Sequence, residues 1–132
     1  MQFWFETGQE TPVTMRRLIA CVNTGNLGIN LDPANLILYG KANPIDALDV
    51  FGDYVYSIHA KDGLYPTDPM KLGHEVKVGL GRVRFPEFFQ RLKETGYSGD
   101  FIIEREISGA QQRADIAETV TYLERLIEAT GL

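Results

Sequence analysis

The sequence has one cysteine and few basic residues, and both shortages limit what the protein can be. Cys21 stands alone among 132 residues, so the chain forms no internal disulfide and suits a reducing compartment. Thirteen basic residues against eighteen acidic ones give a net charge of −5. This balance argues against nucleic-acid binding, which needs a clustered basic surface. We expect Cys21 to be a small residue that faces the core from a helix.

Long hydrophobic runs are also missing. No apolar stretch approaches the roughly 20 residues that span a bilayer, and Met1 is not followed by a basic and apolar segment of signal-peptide type. The sequence therefore predicts a cytoplasmic protein that does not bind membranes. With 44% apolar residues, it can build one core, and we predict a single domain over residues 1–132.

Short apolar runs alternate with helical patterns along the chain. Residues 2–5 are predicted to be a buried strand, residues 28–31, 54–58 and 100–103 to be further strands, and residues 13–22, 44–51, 85–95 and 110–129 to be helices. A loop is predicted through Asn35 and Gly40. The order βαβαβαβα indicates parallel strands covered by helices, an α/β fold. The connection between His59 and Phe85 is long and rich in glycine and proline, which favours a loop lying over a site.

Each predicted strand ends in a side chain that can bind a metal ion. Glu6, Asp32, His59 and Glu104 follow the four strands in turn. Taken singly, such residues are more often solvated loop residues, helix caps or hydrogen-bonded histidines. The carboxyl ends of parallel strands converge on one face, however, where an uncompensated acidic cluster would repel itself. Three carboxylates and one imidazole suit Mn²⁺, Mg²⁺ or Co²⁺, and Zn²⁺ also accepts them.

An ordered set of short motifs gives the sequence a family resemblance. The motifs are FETGQE at 5–10, NLDPAN at 30–35, IHAKDG at 58–63, GLG at 79–81, GYSG at 96–99 and IIE at 102–104. Together they resemble the second half of the sugar phosphate isomerase/epimerase family, whose fold is the (β/α)8 TIM barrel of xylose isomerase type. The resemblance implies a parallel (βα)4 half-barrel corresponding to the last four units of that barrel.

The resemblance also implies an activity and its residues. Glu6, Asp32, His59 and Glu104 match the positions that hold one divalent cation in the family, and the two glutamates act there as acid and base. The implied reaction is proton transfer through an enediolate of a small sugar or polyol. Asn35 replaces a histidine that many relatives carry and can still bind a substrate hydroxyl. Lys61 and Asp62 either bind substrate hydroxyls, orient the ligands or form a surface ion pair.

Several alternatives stay open at this point. An inosose-type dehydratase uses the same enediolate, and a half-barrel can bind metal without turnover. A phosphodiesterase of the apurinic-endonuclease type is disfavoured, because it needs a histidine-rich cluster and the chain has only His59 and His74. We expect His74 to be a solvated loop residue. A half-barrel leaves bare sheet edges, so the chain is expected to form a homodimer, to pair with a separate N-terminal half, or to be a fragment.

Overall fold

The four predicted strands run parallel in one sheet, which confirms the α/β fold class. The structure is a computed structural model that describes residues 1–132. Its elements are β1 (Phe3–Glu6), α1 (Pro12–Val22), β2 (Leu27–Leu31), α2 (Pro33–Leu38), α3 (Pro44–Phe51), a 3₁₀ turn (Gly52–Tyr54), β3 (Val55–Ala60), β4 (Asp62–Leu64), β5 (His74–Val76), α4 (Phe85–Thr95), β6 (Asp100–Ile103) and α5 (Ala110–Thr130). The strand order in the sheet is β1-β2-β3-β6, with β4 and β5 in a separate hairpin.

The first three helices begin with the same local signal. A capping side chain precedes a proline at the first helical position, where the missing N–H costs nothing. The pairs are Thr11-Pro12, Asp32-Pro33 and Asn43-Pro44. The middle pair starts α2, so the loop predicted through Asn35 is wrong. The six residues of α2 are too few to show a clear helical period. The capping residue followed by proline was the only local sign of this helix.

The core lies between the sheet and the helices. Successive helices pack against one another, α1 on α3, α3 on α4 and α4 on α5. Phe85, Phe88 and Phe89 on α4 are fully buried, and the Phe89 ring stacks on Phe101 of β6 at 4.6 Å. This side of the sheet therefore has the packing that near-continuous apolar strands predict.

The opposite face of the sheet carries large exposed side chains. Trp4 and Tyr56 stack at 5.8 Å and are 43% and 44% exposed, and Ile102 is 51% exposed. Gly28 lies beneath the stack, where a Cβ atom would come within 2.3 Å of the Tyr56 ring. The expectation that residues 2–5 form a buried strand is wrong, because three of these four residues are exposed and β1 is an edge strand that pairs only with β2.

Two expectations about side-chain exposure have different outcomes. Cys21 is exposed on α1, so the expectation that it faces the core is wrong. His74 is exposed, as expected, but it lies in β5 and not in a loop.

None of the helices combines the length and the apolar character that crossing a membrane requires.

The long connection after His59 contains the hairpin of β4 and β5, and Asp62 organises it. Asp62 is 1% exposed. Its carboxylate accepts hydrogen bonds from the backbone N–H groups of Gly63, Gly79, Gly81 and Val83 at 2.8–3.1 Å. A second anchor is Arg105, which donates to Glu75 of β5 and to Asp115 of α5. The connection is thus an ordered segment held at both ends by charged hydrogen bonds.

We predict that Asp62→Asn destabilises the protein by about 2–4 kcal/mol, because the amide nitrogen cannot accept the backbone bonds that one carboxylate oxygen now receives. Urea unfolding followed by circular dichroism measures this change. Asp68→Asn in the same connection is the matched control, since Asp68 is 45% exposed in its side chain and accepts one backbone bond. Equal losses in the two variants would contradict the organising role of Asp62.

Candidate metal centre

The structure brings the four strand-end side chains together. One ligand atom from each of Glu6, Asp32, His59 and Glu104 lies within 4.8 Å of the others. Glu6 is the last residue of β1, Asp32 and Glu104 directly follow β2 and β6, and His59 lies in β3. The parallel direction of the strands places all four at one edge of the sheet, where their positions at the ends of the predicted strands put them.

Asp32 forms the base of this cluster. It is fully buried, and its Oδ1 caps α2 by accepting from the Asn35 N–H at 2.9 Å. The buried Thr7 hydroxyl donates to the Asp32 carbonyl at 2.7 Å and accepts from the Asp32 N–H at 2.8 Å. Backbone and side chain are therefore both fixed, and Oδ2 is left to face His59 and Lys61 at 3.9 and 3.5 Å.

His59 presents Nδ1 to the three carboxylates. The distances from Nδ1 to the nearest oxygens of Glu104, Glu6 and Asp32 are 2.8, 3.7 and 3.9 Å. The other ring nitrogen, Nε2, lies 2.9 Å from the side-chain amide of Asn30. Asp32 contributes most to raising the pKa of His59 above its usual value; burial opposes this, and the charges of Glu104 and Glu6 raise the pKa further.

Lys61 is a buried cation beside the same carboxylates. Its Nζ is 3.1 Å from Glu104 Oε1 and 2.8 Å from Glu106 Oε1, and its side chain is 2% exposed. Burial alone would lower the pKa of Lys61, but the hydrogen bonds to Glu106 and Glu104 and the charge of Asp32 outweigh it and raise the pKa. Burial and the adjacent Glu106 carboxyl raise the pKa of Glu104, and Lys61 partly offsets them.

The cluster fits a divalent cation on two grounds. First, Asp32 Oδ2 and His59 Nδ1 are buried, and neither forms a hydrogen bond of acceptable geometry, although Nδ1 lies 2.8 Å from Glu104 and buried polar atoms are nearly always paired. Second, the cluster contains four carboxylates, those of Glu6, Asp32, Glu104 and Glu106. Lys61 and a protonated His59 compensate only two of these four negative charges. A cation bound by oxygen and imidazole ligands would satisfy the unpaired atoms and offset this charge.

The two glutamates form the open side of the cluster. The Glu6 side chain is 51% exposed and that of Glu104 is 30% exposed, whereas Asp32 is inaccessible. Asn35 lies next to Glu6, and its Nδ2 donates to the Thr7 carbonyl at 3.0 Å and to Glu6 Oε1 at 3.4 Å. A molecule that approaches the cluster therefore meets Glu6, Glu104 and the amide of Asn35 before it meets Asp32.

The residues predicted to contact substrate have different surroundings. Asn35 lines the open side, and Lys61 points into the carboxylate cluster and not to the surface. Asp62 is committed to four backbone amides, so we leave it out of the substrate site. Sequence reasoning gave no role to Thr7 and Asn30, although both lie within the motifs at 5–10 and 30–35.

Comparisons with known proteins agree with this geometry. The family model described as xylose isomerase-like TIM barrel matches residues 1–126. The crystal structure of a xylose isomerase domain protein from Planctomyces limnophilus is 41% identical, with a TM-score of 0.95 over 99% of this chain and 48% of that chain. The uncharacterized protein YfiH of Bacillus subtilis (strain 168) is 32% identical over 88% of this chain and 42% of its own length. The chain thus spans about half the length of these proteins.

More distant solved structures share the fold. A D-tagatose 3-epimerase-like protein is 22% identical, with a TM-score of 0.72 over 99% of this chain and 48% of that chain. A protein from Mycobacterium smegmatis, solved in complex with magnesium, is 21% identical, with a TM-score of 0.80 over 98% of this chain and 45% of that chain.

We predict that Mn²⁺ binding weakens as pH falls, because the metal must displace a proton from His59, whose pKa is raised above 6.5. The apparent Kd should rise about tenfold per pH unit below that raised pKa and level off above it. Calorimetric titration at several pH values between about 6 and 9 measures this. His74→Gln is the control and should keep the same profile. An unchanged Kd between the two ends of that range would contradict the role of His59.

Proposed function

Because this chain belongs to the xylose isomerase-like TIM barrel family, we propose that it supplies the metal site and both proton-transfer groups of a sugar isomerase or epimerase. The substrate would be a small sugar or polyol. The observation that carries the proposal is the convergence of Glu6, Asp32, His59 and Glu104 within 4.8 Å, with two of their buried ligand atoms unpaired. One solved structure with the same fold is a D-tagatose 3-epimerase-like protein, and its name agrees with this reaction class.

Asp32 Oδ2, His59 Nδ1 and one oxygen each from Glu6 and Glu104 would hold the cation. Mn²⁺, Mg²⁺ and Co²⁺ suit this mixed oxygen and nitrogen set, and Zn²⁺ is an accepted alternative. When bound, the cation polarises the substrate carbonyl and the neighbouring hydroxyl. Asp32 is the most rigid of the four, since Thr7 and the start of α2 fix it from two sides.

In this proposal Glu6 and Glu104 act as base and acid. They are the exposed members of the cluster, so each can reach a substrate carbon or oxygen, and they lie on opposite sides of His59 in the sheet order. One glutamate removes a proton from the carbon next to the carbonyl. In an epimerisation the other returns a proton to the opposite face of that same carbon, whereas in an isomerisation a proton is returned to the adjacent carbon. Burial and the adjacent Glu106 carboxyl raise the pKa of Glu104, which favours its holding a proton that it can later return, and Lys61 limits that rise.

An inosose-type dehydratase is the second candidate, since it begins with the same proton removal. The two activities differ only in whether the intermediate is reprotonated or loses a hydroxyl. Incubation with a panel of ketoses and inososes, followed by product analysis, distinguishes them. The third candidate is a metal-binding half-barrel without turnover.

The proposed substrate site would also need enclosing residues that this chain does not provide. The face around Trp4, Tyr56 and Ile102 is exposed, and β1 and β6 each have one unpaired edge. In a barrel, further strands would pair with both edges and cover this face. We propose that a second set of βα units does so, and that a second copy of this chain is the simplest source. A separate N-terminal half is the alternative.

Glu104→Gln is expected to reduce turnover by about 10²- to 10⁴-fold, because the amide cannot exchange the proton. The circular dichroism spectrum should not change, since Glu104 follows β6 and is partly exposed. Wash-in of deuterium from solvent into the substrate measures proton transfer directly. Glu124→Gln on α5 is the matched control. Retained wash-in in the Glu104 variant would remove Glu104 from catalysis, and an inactive wild type would favour the half-barrel without turnover.

Sedimentation velocity at micromolar concentration should show a dimer that Trp4→Lys converts to a monomer, because the new charge falls in the face to be buried. Tyr65→Lys is the control, since Tyr65 is similarly exposed at 41% but lies in the connection after β4. A monomeric, folded wild type would exclude the second copy and leave the separate N-terminal half.

A further inference from the structure

Thr7 directly follows β1, and its hydroxyl takes over the last hydrogen bond between β1 and β2. The ladder is regular up to that point, and the Thr7 N–H donates to the Asn30 carbonyl at 3.2 Å. In a parallel ladder, a residue that donates to one residue of the neighbouring strand accepts from the residue two positions further on, which here is Asp32. The Asp32 N–H donates instead to the Thr7 hydroxyl at 2.8 Å. The side chain of Thr7 therefore replaces its own carbonyl as the partner of Asp32.

The Thr7 hydroxyl also binds the other backbone group of Asp32, since it donates to the Asp32 carbonyl at 2.7 Å. An N–H can only donate and a carbonyl can only accept, so the position of the hydroxyl proton follows from these two partners. Thr7 is 2% exposed and Asp32 is inaccessible, which shields both contacts from solvent. Without the hydroxyl, two buried backbone groups of a metal-ligand residue would lose their partner.

The Thr7 carbonyl, which the ladder leaves free, binds Asn35. It accepts from Asn35 Nδ2 at 3.0 Å, and the same nitrogen lies 3.4 Å from Glu6 Oε1. Because a carbonyl can only accept, the nitrogen of the amide must be the atom that faces it. The amide of Asn35 lines the open side of the cluster. One residue thus contacts the buried base of the site through its side chain and the open side through its backbone.

We propose that Thr7 is a positioning residue that sets two parts of the site at once. Its hydroxyl holds the metal ligand Asp32, and its carbonyl holds Asn35 on the side from which a substrate approaches. The hydroxyl keeps the Asp32 N–H away from the carbonyl and so leaves the carbonyl to Asn35. This inference rests on the proposed metal site, and it assigns a role in metal affinity to a residue outside the ligand set.

Thr7→Val is expected to weaken Mn²⁺ binding by about 10- to 100-fold, the usual effect of removing a group that orients a metal ligand. Valine has nearly the shape of threonine but no hydroxyl, whereas Thr7→Ser keeps the hydroxyl and should bind Mn²⁺ as the wild type does. Calorimetric titration of the folded variants measures both. Thr119→Val is the matched control, since the Thr119 hydroxyl is also buried and donates to an aspartate carbonyl, that of Asp115, at 2.7 Å. It should leave the affinity unchanged.

Wild-type affinity in a folded Thr7→Val would overturn the proposal, because the hydroxyl would then serve stability alone. An equal loss of affinity in Thr119→Val would also overturn it. If Thr7→Val does not fold, Thr7→Ser decides. Wild-type affinity in the serine variant would support the role of the hydroxyl, and a loss of about tenfold or more would overturn it.

Proton NMR of the metal-free protein tests the contact with Asn35. Saturation transfer from water measures how fast the Asn35 side-chain amide exchanges with solvent, and Asn35→Leu identifies the signal by its absence. In Thr7→Val the Asp32 N–H should turn to the Thr7 carbonyl, so the Asn35 amide should exchange faster than in the wild type and in Thr7→Ser. Unchanged exchange in a folded Thr7→Val would overturn the link between Asp32 and Asn35.

These measurements separate this inference from the proposed function. No Mn²⁺ binding by the wild type would overturn the metal site and this inference with it. Equal Mn²⁺ binding by the wild type and Thr7→Val would overturn the role of Thr7 alone. Weaker binding by Thr7→Val, in a protein whose wild type shows no deuterium wash-in, would support the role of Thr7 and remove the catalytic part of the proposed function.

Discussion

Repulsion between carboxylates at one edge of the sheet is the constraint on which the site depends. The parallel ladder from β1 through β2 and β3 to β6 ends all four strands at the same edge, so Glu6, Asp32 and Glu104 cannot avoid one another. Lys61 offsets part of this charge from a buried position. The remaining negative charge, together with the unpaired Asp32 Oδ2, gives the cluster its capacity for a cation.

The residues that hold Asp32 and His59 in place come from distant parts of the chain. This distance explains which features of the site could be predicted from the sequence and which could not. The strand ends and most helix bounds follow from local patterns, so Glu6, Asp32, His59 and Glu104 were found without a structure. Thr7 and Asn30 act across 25 and 29 residues, on Asp32 and His59 respectively. No periodicity or motif encodes such a contact, because it depends on which strands become neighbours and in which register.

Two adjacent charged residues of the sequence have different roles in the structure. Lys61 and Asp62 are adjacent and both buried, yet one compensates the carboxylates of the site and the other binds the backbone of the long connection. The pair therefore links two structures: the site on one side and the hairpin segment on the other. Sequence reasoning gave both residues the same possible roles, which were binding substrate hydroxyls, orienting ligands or forming a surface ion pair, because the sequence does not show which groups surround each side chain.

The stack of Trp4 on Tyr56 has a practical consequence. Trp4 is the only tryptophan in the chain, and it lies half-exposed on the uncovered face of the sheet above Gly28. Indole emission depends on the polarity around the ring, so the fluorescence of the unlabelled protein reports whether that face is in water or covered. Coverage of this face by the proposed second set of βα units would therefore change the Trp4 emission, separately from any signal at the candidate metal site.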